Sequence, residues 1–190
     1  MAPIILFSNC SKKGGTSTPP DTQFRLTVND NLGNAVSGAT VRLYASQSDF
    51  TNDVNRVSVK TTDASGIVTF TGLSAIKYYW FAEKGCTNNI FGSVATASPI
   101  TANNTTTITT VLGSTGALKF VNTSSNPYRV YINGTAYADM NGGTTKIVDY
   151  AVTGSYTIRV LQLSGYVVTP TDQTYTGTLT CGATLSTTFP

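Results

Sequence analysis

The sequence predicts an all-β protein: two antiparallel β-sandwich domains, residues 23–112 and 116–190, behind an N-terminal tether over residues 1–22. Three observations lead there. Short runs alternate apolar and polar residues with a period of two, the signature of half-buried strands. Gly, Asn, Asp and Pro punctuate those runs at close intervals. Of the 190 residues, 40% are hydrophobic and only 11% charged, so Thr, Ser, Asn and Gly have to supply the surface. Such a composition favours strands and turns over helices.

The chain opens on MAPIILFSNC. The short apolar run Ile4 to Phe7, then Ser8-Asn9-Cys10, resembles the tail of a bacterial lipoprotein signal peptide. That resemblance implies lipidation at Cys10 and a membrane as partner. It departs from the pattern at Asn9, where a small residue is usual, and no basic residue precedes the run. An N-terminus with an incidental cysteine, unstructured or forming an extra strand, remains the alternative. Ser11 to Thr22 has no apolar content and reads as a flexible and then stiffer spacer.

Phe24, Leu26 and Val28 alternate with Arg25, Thr27 and Asn29 as a first strand, and Ala39, Val41 and Leu43 make a second. Ser46 to Asn55 is a polar loop with room for one helical turn. Val57 and Val59 mark a third strand. The stretch Thr61 to Glu83 organises this half. Val68 and Phe70 form a strand after the turn Asp63-Ala64-Ser65-Gly66, in which Asp caps its own backbone and Gly takes positive φ. Ile76, Tyr78, Trp80 and Ala82 then share one face, with Lys77, Tyr79, Phe81 and Glu83 on the wetter one. Trp80, the one tryptophan, is the expected centre of the core. Gly85 to Asn89 reads as a loop, Ile90 to Ala97 as a weak strand, and Thr105 to Leu112 as the closing strand.

These residues carry a family likeness. Gly33, Val36-Ser37-Gly38-Ala39-Thr40-Val41 and Thr62-Asp63, Gly66, Phe70 resemble the carboxypeptidase-regulatory-like and collagen-adhesin B-type modules. The likeness implies a transthyretin-like sandwich, related to immunoglobulin-like ones, and is nearly silent on activity. Some adhesin modules hold a Lys–Asn isopeptide bond; strand one offers Arg25 instead, and the bond is not expected here.

Gly113-Ser114-Thr115-Gly116 is read as the boundary. Beyond it come strands around Leu118 and Phe120, then Tyr128 to Ile132. The hairpin signal Asn133-Gly134 follows, then strands at Lys146 to Tyr150, Tyr156 to Leu161, Asp172 to Cys181 and Ala183 to Phe189. Residues 116 to 168 resemble the small all-β PEGA domains of bacterial envelope proteins, with Pro127-Tyr128-Arg129-Val130 in place of the Pro-Glu-Gly-Ala core.

Chemistry is scarce. The chain has no histidine, which removes Ser-His-Asp and Cys-His catalysis and the usual neutral-pH base. Glu83 is the sole glutamate, and Asp30, Asp49, Asp53, Asp63, Asp139 and Asp172 are read as turn residues accepting local backbone hydrogen bonds. Asn29-Asp30-Asn31 and Asp49-Asn52-Asp53 carry oxygen ligands but lack the spacing of a calcium loop. No cofactor and no metal is expected. A net charge of +3 without a basic cluster argues against nucleic acid. Tyr44, Tyr79, Tyr128 and Tyr131 are candidates for an outward face, with Tyr79 and Tyr44 the leading ligand-stacking pair. Cys86 and Cys181 are either bridged, tying the two halves together in an oxidising compartment, or two unpaired thiols.

The expected function is a non-enzymatic, lipid-anchored envelope protein at the outer membrane or cell surface, serving as a structural or interaction module with an unassigned protein or glycan partner. The alternatives are a self-assembling subunit of an extracellular fibre, built by strand exchange, and a glycan-binding module.

Overall fold

The computed structural model describes residues 21–190, so Cys10 and the signal-like segment lie outside the described residues. The described residues are nearly all β, with thirteen strands and one helical turn. In the first half the strands are β1 Gln23–Asp30, β2 Thr40–Tyr44, β3 Ser58–Thr61, β4 Ile67–Phe70, β5 Tyr79–Lys84 and the two-residue β6 Thr87–Asn88. Then β7, Thr105–Asn122, runs without a break into the second half, followed by β8 Tyr128–Ile132, β9 Thr135–Met140, β10 Thr145–Val152, β11 Gly154–Gln162, β12 Asp172–Leu179 and β13 Thr184–Phe189. The helical turn α1, Gln47–Asn52, is capped by Ser46, whose hydroxyl accepts from the Asp49 N–H at 3.1 Å. No described helix is long and apolar enough to cross a membrane.

Local chemistry sets the turns. The Asp63 carboxylate accepts from the N–H groups of Ser65 (2.8 Å) and Ile67 (2.9 Å), and Gly66 sits at φ +71°. A Cβ at Gly66 would also lie 2.6 Å from the Val28 carbonyl oxygen, so this position accepts glycine alone. Asn133 (φ +48°) and Gly134 (φ +85°) both lie left-handed between β8 and β9, the two-residue hairpin the dipeptide implies.

Two apolar cores result. In the first, Phe24, Leu26 and Val28 of β1 and Val68 and Phe70 of β4 face Val41 and Leu43 of β2 and Trp80 and Ala82 of β5. Trp80 is fully buried, its ring centroid 5.2 Å from that of Phe24. The second core joins Leu118 and Phe120 of β7 with Val130, Ile158, Val160, Leu179 and Phe189. Buried asparagines hold the loops around these cores. Asn89 accepts from the Ala82 N–H and donates to the Ser93 carbonyl, and Asn122 donates to three carbonyls.

Several details differ from the sequence reading. Residues 113–116, read as the boundary, lie within continuous strand, because β7 is shared by both halves. It pairs with β1 over residues 105–112, with β6 at Gly113 and Ser114, with β10 beyond them, and with β13 over 117–122. Its pairings with β1 and β13 are parallel, while the other ladders are antiparallel. Thr87 and Asn88 form β6 rather than a loop. Residues 90–97 form no full strand: the Trp80 N–H donates to the Val94 carbonyl, the Thr96 N–H donates to the Tyr78 carbonyl, and one isolated bridge joins Tyr79 to Ala95. Thr22 belongs to the first sandwich, its hydroxyl accepting from the Asn103 N–H at 2.8 Å.

Gly116 shows how tightly the second half closes on β7. A Cβ there would meet the Ala183 carbonyl oxygen at 2.6 Å and the Thr180 carbonyl oxygen at 2.9 Å. Both are backbone atoms, so neither can swing away. Gly116→Ala is expected to cost about 1–3 kcal/mol through overpacking, read as a lowered urea midpoint, whereas Gly113→Ala, where the added carbon meets nothing within 4 Å, is expected to be mild.

Candidate functional site

Charged and aromatic side chains converge at the junction between the halves. Phe81 leaves β5 on the face opposite Trp80, yet it is buried. Tyr150 of β10 covers it, the ring centroids 5.5 Å apart. Tyr150 reaches across because the β10–β7 register shifts between Val148 and Ala151 and because its own backbone is left-handed, φ +57°. An aromatic residue in that region is costly and persists only where its surroundings enforce it. From the other side the Arg42 guanidinium lies 5.1 Å from the Phe81 ring centroid.

Arg42 is held in turn by carboxylates. It pairs with Glu83 on the neighbouring strand and approaches Asp53 at 3.8 Å. Asp53 caps the C-terminus of α1 and also binds Arg56 at 2.7 Å and the Tyr44 hydroxyl. Hydrogen bonds from Arg56 and then from Tyr44 hold the Asp53 carboxyl at a pKa of about 2, below the ordinary carboxylate value. Burial, followed by the hydrogen bond to Asp53 and then its charge, pushes the Tyr44 phenol upward. Arg42, Tyr44, Asp53, Phe50, Phe81 and Tyr150 line a cleft of about 310 Å³. A second hollow of about 320 Å³ lies around Cys86, Asp149, Tyr150 and Gly182.

Cys86, in the turn between β5 and β6, is disulfide-bonded to Cys181, in the turn between β12 and β13, with 5.5 Å between their Cα atoms. The bond therefore ties the β5–β6 turn of the first half to the β12–β13 turn of the second.

The sequence candidates fall apart spatially. Tyr44 is not an outward platform: it is 1% exposed, Phe50 packs its edge against the ring, and its hydroxyl is taken by Asp53. Tyr128 is likewise buried, against Phe189. Tyr79 is half-buried, its ring 6.3 Å from Phe50 and 5.4 Å from the Lys77 ammonium nitrogen. Tyr131 is half-buried beneath Arg159. Asp30 accepts from Leu32 and from both nitrogens of Asn34, and Asp49 from Ser46 and Asn55, so both candidate calcium segments spend their carboxylates locally. Among the described residues no three His, Cys, Asp or Glu side chains gather as a metal site. Asp139 and Asp172 are strand residues, not turn residues, and each grips an arginine, Arg129 and Arg159 respectively, through both carboxylate oxygens.

Phe81, Phe50 and Tyr150 did not stand out in the sequence. One signal was there. Aromatic residues on both faces of the run Tyr78 to Phe81 mean that both faces are covered.

The Asp53 cluster gives a pH expectation. A carboxyl held low in the fold stabilises above its ordinary pKa, and that stabilisation is lost as pH falls from about 4 through about 2. Asp53→Asn removes the titrating group, so its stability is expected to fall less than the wild type's across that window. Urea midpoints at pH 5 and pH 2 compare the two; equal losses would contradict the assignment.

No protein-family model matches the chain, and no curated protein does. Solved structures that match the chain include a streptococcal ancillary pilin (14% identity, TM-score 0.42, covering 91% of this chain and 63% of that one). The minor pilin GBS52 of Streptococcus agalactiae matches with 13% identity and a TM-score of 0.34, over 88% of this chain and 94% of that one. The shaft pilin SpaA of Lactobacillus rhamnosus GG matches with 9% identity and a TM-score of 0.37, over 88% and 96%. This chain spans about a third of another match, the Bacillus anthracis TIE protein (34% of its length). At these identities and scores the likenesses carry nothing about activity.

Proposed function

We propose that the chain is a non-enzymatic structural module of the bacterial cell surface, joined in series with its neighbours as a fibre subunit. The observation that carries this reading is the register of β7. Gln23 at the start of β1 lies beside Thr105, and Phe189 at the end of β13 lies beside Asn122. The described chain thus enters at one end of β7 and leaves at the other, about 60 Å away for an 18-residue strand. A module built that way extends an assembly. The disulfide suits an oxidising, extracytoplasmic compartment. The polar groups of the Arg42 cleft already satisfy one another, which suits cementing a junction better than turning over a substrate.

Strand exchange has an open edge available. Among the described residues β10 pairs with β7 alone, and on it Ile147, Tyr150 and Val152 are exposed. Lipid anchoring at Cys10, and the regulatory-like and PEGA-like resemblances, belong to the same reading: an anchored first subunit is the same module held at the membrane. The glycan-binding alternative loses support with Tyr44 buried.

The test is assembly. Purified oxidised chain, concentrated and viewed by negative-stain microscopy beside native mass measurement, is expected to give linear assemblies with an axial repeat of at least about 60 Å. Ile147→Lys, which charges the open edge, is expected to abolish them while leaving the circular-dichroism spectrum unchanged. A chain that stays monomeric at every concentration overturns the fibre reading.

A further inference from the structure

The topology of the terminal strands has a mechanical consequence. β1 lies parallel to the first part of β7 over eight residues, and β13 lies parallel to the last part over six. A pull on the two ends of the described chain drags β1 toward its own N-terminus and β13 toward its own C-terminus. Both motions run along the strands, across ladders whose hydrogen bonds lie athwart the pull. Many bonds must then fail together. An antiparallel hairpin pulled from its open ends loses them one at a time.

The disulfide changes where the load goes once a ladder fails. Cys86 precedes β7 and Cys181 precedes β13, with a sequence separation of 95. If β1 shears away, the chain pays out only as far as Cys86. If β13 shears away, it pays out only as far as Cys181. Tension then crosses the sulfur–sulfur bond and bypasses everything between, including β7 itself, the β8–β9 hairpin and β11 with β12.

We propose that β1, β7 and β13 form a shear-loaded splice and that, once either ladder fails, the Cys86–Cys181 bond is an extension stop that takes residues 87–180 out of the path of tension. The use of such a device rests on the in-series reading above; its mechanism rests on the fold alone. Cys181 is exposed and Cys86 half-buried, so the stop is open to reductants.

Single-molecule pulling on the full chain, through handles at its two ends, tests this. In the oxidised protein the total contour gained on unfolding is expected to fall short of the reduced protein's by about 330 Å, 95 residues at roughly 3.5 Å each. A phosphine supplies the reduction: it becomes the phosphine oxide, water provides the oxygen and both protons, and the disulfide becomes two thiols. Cys86→Ser/Cys181→Ser is expected to give the longer contour without reductant. If that variant does not fold, the wild type pulled with and without phosphine carries the comparison. Equal contours in the two states overturn the extension stop. For the splice, moving the first handle to an unnatural side chain at Asp30 makes β1 unzip from β7 instead of shearing. The rupture force is expected to fall several-fold, and an unchanged force overturns the splice. A contour difference without filaments would sink the in-series reading and leave this inference standing; filaments with equal contours would do the reverse.

Discussion

Trp80→Ala is expected to cost about 3–5 kcal/mol, the range for emptying a large aromatic from a close-packed interior. The physical grounds are specific. Trp80 is fully buried beside Phe24 in the first core, among side chains of β1, β2 and β4 as well as its own strand β5. The indole nitrogen has no hydrogen-bond partner among the described residues, so deleting it orphans no acceptor there. Trp80→Phe should therefore cost distinctly less, since it forfeits volume and little else. Urea denaturation followed by far-ultraviolet circular dichroism separates the cases. Because Trp80 is the only tryptophan, its fluorescence in the wild type reports the first core directly. A Trp80→Ala protein as stable as the wild type would mean that the core is not where the packing places it.

The second large effect is expected from the disulfide. A bond that closes a loop over a separation of 95 residues restricts the unfolded chain by about 4–5 kcal/mol in the chain-entropy treatment. The native state gains little from the bond in exchange, since β7 already spans the junction and Phe81 already meets Tyr150 across it. Reduction, or Cys86→Ser/Cys181→Ser, should thus lower stability mainly through the unfolded ensemble and leave the native fold intact. At about 2–4 °C per kcal/mol for a chain of this size, the melting temperature is expected to drop by about 8–20 °C. An intact circular-dichroism spectrum with a strongly lowered melting temperature is the expected pair of results. A drop of only a degree or two would mean that the unfolded chain is compact enough not to feel the link.

The two effects differ in how legible they were. Trp80 could be read directly, because a period-two pattern with one large indole at its middle leaves few other places for a core. The turn at Asp63 to Gly66 and the hairpin at Asn133-Gly134 were legible for the same reason: the constraint is local, and a residue's own backbone preference states it. The buried asparagines Asn89 and Asn122 were not legible as structural, because their role depends on which carbonyls come within reach. Tyr44 was misassigned to the outside. Its strand alternation is right, but α1 folds back to place Phe50 and Asp53 over it, and no short-range pattern records that.

The sequence by itself determined the all-β class, the position of most strands, the first core and the poverty of catalytic groups. Those follow from period, turn chemistry and residue type, which act over a few neighbours. Only the tertiary structure decided that residues 113–116 continue a strand and that β1 and β13 lie parallel to opposite ends of β7. It alone brought Phe81 under Tyr150 and Cys86 against Cys181. Those outcomes depend on pairings between segments many residues apart, where the free energy lies in contacts that no stretch of chain contains alone.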